Sequence, residues 1–135
     1  MDRNLVVSFA VAALVGGLGL ASMRGQQPPS GAKIDVVLKQ DMTIPGREAL
    51  MVEVVLPPGF AEGRHTHPAE VFGFVIEGTV ESEIDGKTTT LKPGDHFYFA
   101  PGQVHQNMNK SSAPAKTYVV FVAEKGKPLT TPVKQ

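Results

Sequence analysis

From Ile34 to Glu124, apolar and polar positions alternate in short runs, and clusters of Pro, Gly, Asp and Asn separate those runs at close intervals. An alternation of period two marks a strand with one face buried. The runs predict strands over Ile34–Lys39, Ala49–Leu56, Arg64–His67, Val71–Glu77, Thr79–Ile84, Lys87–Leu91, His96–Phe99, His105–Asn107 and Lys116–Glu124. No segment of this region keeps a 3.6-residue apolar period, so no helix is expected. Asp85-Gly86, between Ile84 and Lys87, is the strongest hairpin signal, because a type I′ turn needs positive φ at both central positions. Many short antiparallel strands with such turns predict an all-β domain, closed into a barrel or jelly roll that leaves few free edges.

The two ends of the chain read differently. Met1-Asp2-Arg3-Asn4 is short and carries one Arg, Leu5–Leu20 is an unbroken apolar or small run, and Gly19-Leu20-Ala21 has the small residues of a signal-peptidase site. Residues 1–21 are therefore read as a secretory signal, with the mature protein starting near Ser22, exported to the periplasm or secreted. The run falls short of the roughly 20 residues that span a bilayer, so contact with the membrane is expected only through this segment before cleavage. Residues 22–33, with Gln26, Gln27, Pro28, Pro29 and Ser30, read as a flexible linker, and residues 125–135, with Pro128 and Pro132, as an extended C-terminal tail. The folded domain is expected over 34–124.

Composition narrows the function. The chain has 135 residues, zero formal net charge and scattered Lys and Arg, so no basic stripe points to a nucleic-acid partner. With no cysteine, disulfides, iron–sulfur ligation, a thiol nucleophile and a lipoprotein anchor are all excluded. Chemistry is left to His, carboxylates, Tyr or a bound ion. Three of the four histidines stand at His65, His67 and His105. In a strand, His65 and His67 point to the same side, so one ion can touch both, and a histidine from a later strand completes a facial set of neutral imidazoles.

The glycines and histidines occur in an order that resembles the cupin superfamily. Gly59, five residues, His65-Thr66-His67 and the closing Gly78 match its first motif; Gly94, then Pro101-Gly102-Gln103-Val104-His105 and Asn109, match its second, with Ala100 where a proline is usual. The resemblance covers residues 34–124. It implies a double-stranded β-helix, or jelly-roll barrel, and a divalent transition metal (Fe, Mn, Ni, Cu or Zn) held by His65, His67 and His105. Cupins often dimerise through their outer strands, so a homodimer is an expectation. The family pattern turns Phe97 and Phe99 inward and His96 outward, and Met51, Val71, Gly73, Val75, Val119 and Phe121 are the other candidates for an apolar inner wall.

The family's glutamate ligand falls at Val71 here, and the only nearby acid, Glu70, is one position early. A one-residue shift turns a strand side chain to the opposite face. Glu70 reaches an ion only if a bulge at Pro68-Ala69 re-aims it; otherwise it is a solvated acid at the barrel mouth. Three-histidine cupins without a carboxylate ligand also exist, as in thiol dioxygenases.

Three functions remain open on the residues. One is a metal-dependent dioxygenase or related enzyme acting on a small chelating substrate. Another is a non-catalytic protein that binds a metal or a small molecule, and a third is a metal-free structural or sugar-binding cupin. No acid–base pair is recognisable, and neither Tyr98 nor Tyr118 stands at a position that alternation carries into the pocket.

Overall fold

The computed structural model describes residues 31–134; residues 1–21, read above as a secretory signal, and most of the expected linker lie outside the described residues. Among the described residues, ten strands and no helix form two antiparallel five-stranded sheets, the double-stranded β-helix that the family resemblance implied. In chain order the strands are β1 (Lys33–Asp41), β2 (Arg47–Leu56), β3 (His65–Thr66), β4 (Ala69–Glu77), β5 (Val80–Ile84), β6 (Lys87–Leu91), β7 (His96–Phe99), β8 (His105–Met108), β9 (Ala115–Glu124) and β10 (Thr131–Pro132). One sheet runs β1-β2-β9-β4-β7 and the other β10-β3-β8-β5-β6.

Alternation sets the core. In β4, Ala69, Val71, Gly73 and Val75 are buried while Glu70, Phe72 and Phe74 are exposed; β7 buries Phe97 and Phe99 and exposes His96 and Tyr98. Val71, Gly73, Val75, Phe97, Phe99, Val119 and Phe121 all face inward as expected, with Phe121 half-buried. Met51 does not. In β2 the buried positions are Leu50, Val52, Val54 and Leu56, which leaves Met51 on the outer face, 40% exposed. Met51 shares its face with Arg47 and Glu53, whereas Leu50, Val52, Val54 and Leu56 form an unbroken apolar phase, so the alternation within the strand itself places Met51 outward.

Glycine is required where the sheets close on themselves. Gly73 pairs with Phe97, whose ring lies across it: a Cβ there would stand 2.2 Å from Phe97 Cζ. Gly78 takes φ +73° and has the Pro114 carbonyl against it, so both backbone and space demand glycine. Asp85 and Gly86 take φ 49° and 82°, completing the expected hairpin between β5 and β6.

The motif asparagine, Asn109, is fully buried and ties the chain at three places. Its Nδ2 donates to the carbonyls of Leu56 (2.9 Å) and Ala113 (2.7 Å), and its Oδ1 accepts from the Ser111 backbone N–H (3.0 Å) and hydroxyl (2.7 Å). Its backbone pairs with Gly59 and Phe60, so the segment before β3 runs alongside β8. That alignment brings the two histidine-bearing stretches together.

The segment beyond Glu124 turns at Lys125-Gly126 and docks back onto the barrel. Through β10 it pairs with β3, Thr131 opposite Thr66 and Pro132 opposite His65, and Val133 N–H donates to the Arg64 carbonyl at 3.0 Å.

Candidate metal and ligand site

His65 lies on β3 and His105 opens β8, directly opposite it. His67 follows β3, and the Gly102 N–H donates to its carbonyl at 2.9 Å, so the turn leading into His105 is clamped onto the first motif. At the position where the family pattern has proline, the Ala100 N–H is in use: it donates to the Gln103 side chain (3.1 Å), which in turn donates to Asp85 (3.0 Å). A proline has no N–H to give.

The three imidazole rings lie with centroids 4.4 to 4.8 Å apart, and one ring nitrogen from each falls within 4.8 Å of the others. Each Nδ1 faces a backbone carbonyl: Gly63 for His65 (2.8 Å), Leu129 for His67 (2.6 Å) and Gln103 for His105 (2.8 Å). A carbonyl only accepts, so each Nδ1 carries the proton and each Nε2 keeps its lone pair. Outer hydrogen bonds of this kind fix the tautomer and orientation of metal-binding histidines. His105 Nε2 is buried with no hydrogen-bond partner, an unmet demand that a cation would satisfy. The residues present therefore fit a divalent ion held by three neutral imidazoles.

Burial favours the neutral form of two of these rings, His105 and His67. Burial pushes His105 from its ordinary value of 6.5 down to about 4; the Gln103 carbonyl opposes this, and the nearby His65 and His67 add to it. Burial lowers His67 as well, against the pull of the Leu129 carbonyl. Phe99 stacks on His105, with centroids 3.7 Å apart and planes 17° from parallel, and Phe121 meets His67 edge-on at 5.0 Å. Aromatic packing thus holds two of the three rings in place.

The structure does not bring Glu70 to the histidines. The pairing of β4 with β9 runs Ala69↔Ala123, Glu70↔Val122, Val71↔Phe121 without interruption, so the bulge that ligation needed is absent and Glu70 stays exposed on the outer face. Val71 occupies the inward position instead and lines the cavity as a plain aliphatic wall. His96 is also exposed, on the opposite face of β7 from Phe97 and Phe99.

The sequence reading missed a different carboxylate. Glu62, three residues before His65, lines the cavity and is clasped twice by Asn107: its Oε2 accepts the Asn107 N–H at 2.8 Å, and its own N–H donates to the Asn107 carbonyl at 3.1 Å. Burial raises its pKa, with the Asn107 N–H and His65 pulling the other way. Only its place in the glycine-flanked run Gly59–Gly63 could have pointed to it, and that run gives no register.

The cavity encloses about 600 Å³. Valines and phenylalanines from the β1-β2-β9-β4-β7 sheet form its walls, β1 adds Ile34 and Val36 at the open side, and Leu129 to Val133 of the docked C-terminal segment closes part of the rim. Its charged and polar groups are concentrated near the histidines, among them Glu62, Arg64 and Asn107. An apolar hollow with a few convergent polar groups suits a small organic ligand.

Comparison with known proteins agrees with this architecture. A germin-like protein, subfamily 2 member 1, of Arabidopsis thaliana is 38% identical over 92 residues, a span of 59% of this chain and 41% of that protein. The chain thus spans less than half the length of that curated relative. A Klebsiella pneumoniae protein with a double-stranded β-helix domain superposes with a TM-score of 0.64 at 27% identity, covering 80% of this chain and 89% of the other. A recombinant oxalate oxidase in complex with glycolate superposes with a TM-score of 0.61 at 21% identity, over 78% of this chain and 57% of that one, a likeness of fold alone. The cupin domain family matches residues 52–121, more than half of the 135-residue chain. With two packed sheets, both motifs in register and three histidines in a cluster, the chain belongs to the cupin family.

Proposed function

We propose that this cupin is a metal-dependent enzyme acting on a small chelating molecule, an oxygenase by reaction class, in which His65, His67 and His105 hold one divalent transition metal. The observation that carries this reading is the set of three Nδ1–carbonyl hydrogen bonds, which leaves Nε2 of each clustered ring free to coordinate. A divalent ion bound there would supply Lewis acidity, positions open to a chelating ligand and, with iron, activation of oxygen. The protein's own contributions support the same reading. Phe99 and Phe121 brace the rings, Val71, Phe97 and Val119 keep water from the ligand's body, and Glu62 offers a carboxyl that can hold a proton on the cavity wall.

Two further parts of the reading concern where and how the protein works. Export through residues 1–21 rests on the sequence of that segment alone. A homodimer is supported by a row of apolar side chains across the outer face of the β1-β2-β9-β4-β7 sheet, where Met51, Val120, Phe72 and Tyr98 stand opposite one another on β2, β9, β4 and β7.

Oxygen consumption by the metal-loaded protein, measured against a panel of thiols, diols and flavonols, tests the enzyme reading. Uptake with one class, abolished in His67→Ala, is the expected result. Bound metal with no uptake on any class would instead identify a protein that binds a metal-chelating molecule without turning it over.

A further inference from the structure

An apolar track leads from the histidines to the open side of the cavity. Phe121 meets His67 edge-on at 5.0 Å, and Val119, two residues before it on β9, faces inward beside it. Across the sheet Val119 pairs with Val52 on β2, and Val52 pairs with Val36 on β1. Directly opposite side chains share a face, so this row lines the cavity from strand to strand. Two strand spacings, about 10 Å, carry it from Val119 to Val36. In the adjacent row Val54 pairs with Ile34 in the same way. Burial then changes abruptly: Val119 and Val52 are buried, whereas Val36 and Ile34 are 58% and 64% exposed although they line the same cavity. β1 is an edge strand, so no further strand of its sheet covers them.

The side chains that β1 and β2 add to the lining, Ile34, Val36, Leu50, Val52 and Val54, are aliphatic throughout. A second charged or strongly polar group on a ligand would find no partner there. An apolar chain laid over the same side chains gains about fourfold in affinity for each methylene it takes out of water. We propose that the ligand is a chelating amphiphile, with its polar end at the metal and an apolar tail that runs along Val119 and Val52 to cover Val36 and Ile34 at the mouth. This rests on the reading of His65, His67 and His105 as metal ligands, and it names the class of molecule they serve. The exposed residues fit a ligand's tail better than a second copy of the chain, because their row is continuous with the ring that packs on His67.

Straight-chain chelating probes test the tail separately from the metal. Zinc-loaded protein is titrated calorimetrically with acetohydroxamate, butyrohydroxamate, hexanohydroxamate and octanohydroxamate, in wild type, Ile34→Ser and Val36→Ser. In wild type, affinity should climb by about tenfold for each two-carbon step, as burial of the added methylenes predicts. In the variants the last step, from hexanohydroxamate to octanohydroxamate, should shrink to about threefold or less. Each protein is its own reference, since the readout is the rise along the series and not the affinity for any one probe. Neither side chain belongs to the buried core cluster, so serine at these positions leaves the fold intact. Equal affinities along the series in wild type, or a last step as large in both variants as in wild type, overturn the tail while leaving the metal site standing. An equal rise with zinc-free protein also overturns it, since the chain would then be lying on another apolar surface. Sedimentation velocity of wild type and Val36→Ser should give the same mass; a smaller mass for the variant would assign the mouth to a second copy and overturn the tail as well. Wild type that takes up no zinc overturns both readings.

Discussion

His67 Nδ1 donates to the carbonyl of Leu129 at 2.6 Å, across 62 residues of chain. One ring of the histidine cluster is therefore oriented by the docked C-terminal segment, whose strand β10 also pairs with the strand carrying His65. Deleting residues 128–135 should leave the barrel folded, because the core cluster draws almost entirely on residues before Glu124. It should nevertheless weaken metal binding by about 10- to 100-fold, the usual effect of losing a hydrogen bond that orients a ligand. Competition with a metallochromic chelator, alongside a thermal melt, separates the two effects. Unchanged metal affinity in a folded truncation would show that the segment does not orient His67.

The pH dependence of stability follows from His105. Its folded-state pKa is lowered to about 4 against 6.5 in an unfolded chain, so between these values the unfolded state binds more protons than the folded one. Stability of the metal-free protein should rise as pH increases through this window, by about 3 kcal/mol from this ring, and fall by the same amount as pH drops from 6.5 to 4. His67, lowered in the same direction, adds to the slope. Chemical denaturation of chelator-treated wild type and His105→Gln across pH 4 to 7 checks this; an equal slope in both would remove His105 as the cause.

Gly73 is covered by its cross-strand partner. Because an added Cβ would lie 2.2 Å from Phe97 Cζ, Gly73→Ala must push aside a ring that packs on Phe99, which in turn stacks on His105. Overpacking of this kind costs about 1–3 kcal/mol. Urea denaturation should show that loss, and Gly73→Ala/Phe97→Leu should recover part of it. A Gly73→Ala variant as stable as wild type would mean that the ring has somewhere else to go.

How far the sequence foretold the site depends on whether local alternation or a distant partner fixed each residue. In β4 both phases are apolar, with Val71 and Val75 on one and Phe72 and Phe74 on the other, so the inward placement of Val71, Phe97 and Phe99 and the outward placement of His96 came from the family pattern, with alternation only carrying it along each strand. The histidine cluster was legible because two motifs fix the spacing of three residues on neighbouring strands. Met51 was misplaced although Arg47 and Glu53 share its phase; the unbroken apolar phase Leu50-Val52-Val54-Leu56 is the one that turns inward. Glu70 depended on a bulge at Pro68-Ala69, and the β4–β9 pairing runs in register from Ala69 through Val75, with its irregularity falling only between Val75 and Glu77.

Glu62 escaped notice for the converse reason. Its inward position comes from backbone bonds to Asn107, 45 residues away, which no local pattern announces. The docking of β10 was equally hidden: two residues including a proline carry no strand signal, and the pairing is set by the geometry of the β3 edge.

Metal content tests the central claim most directly. Wild type, His65→Ala, His67→Ala, His105→Ala, His96→Ala and Glu70→Gln are loaded under identical conditions, desalted and measured by elemental analysis. Wild type, His96→Ala and Glu70→Gln should each retain close to one divalent ion per chain, since His96 and Glu70 project from outer strand faces. The three variants of the clustered histidines should lose most of it, because each removes one of the three facing ring nitrogens. Equal metal content in all six proteins, or a wild type that retains none, would contradict the site.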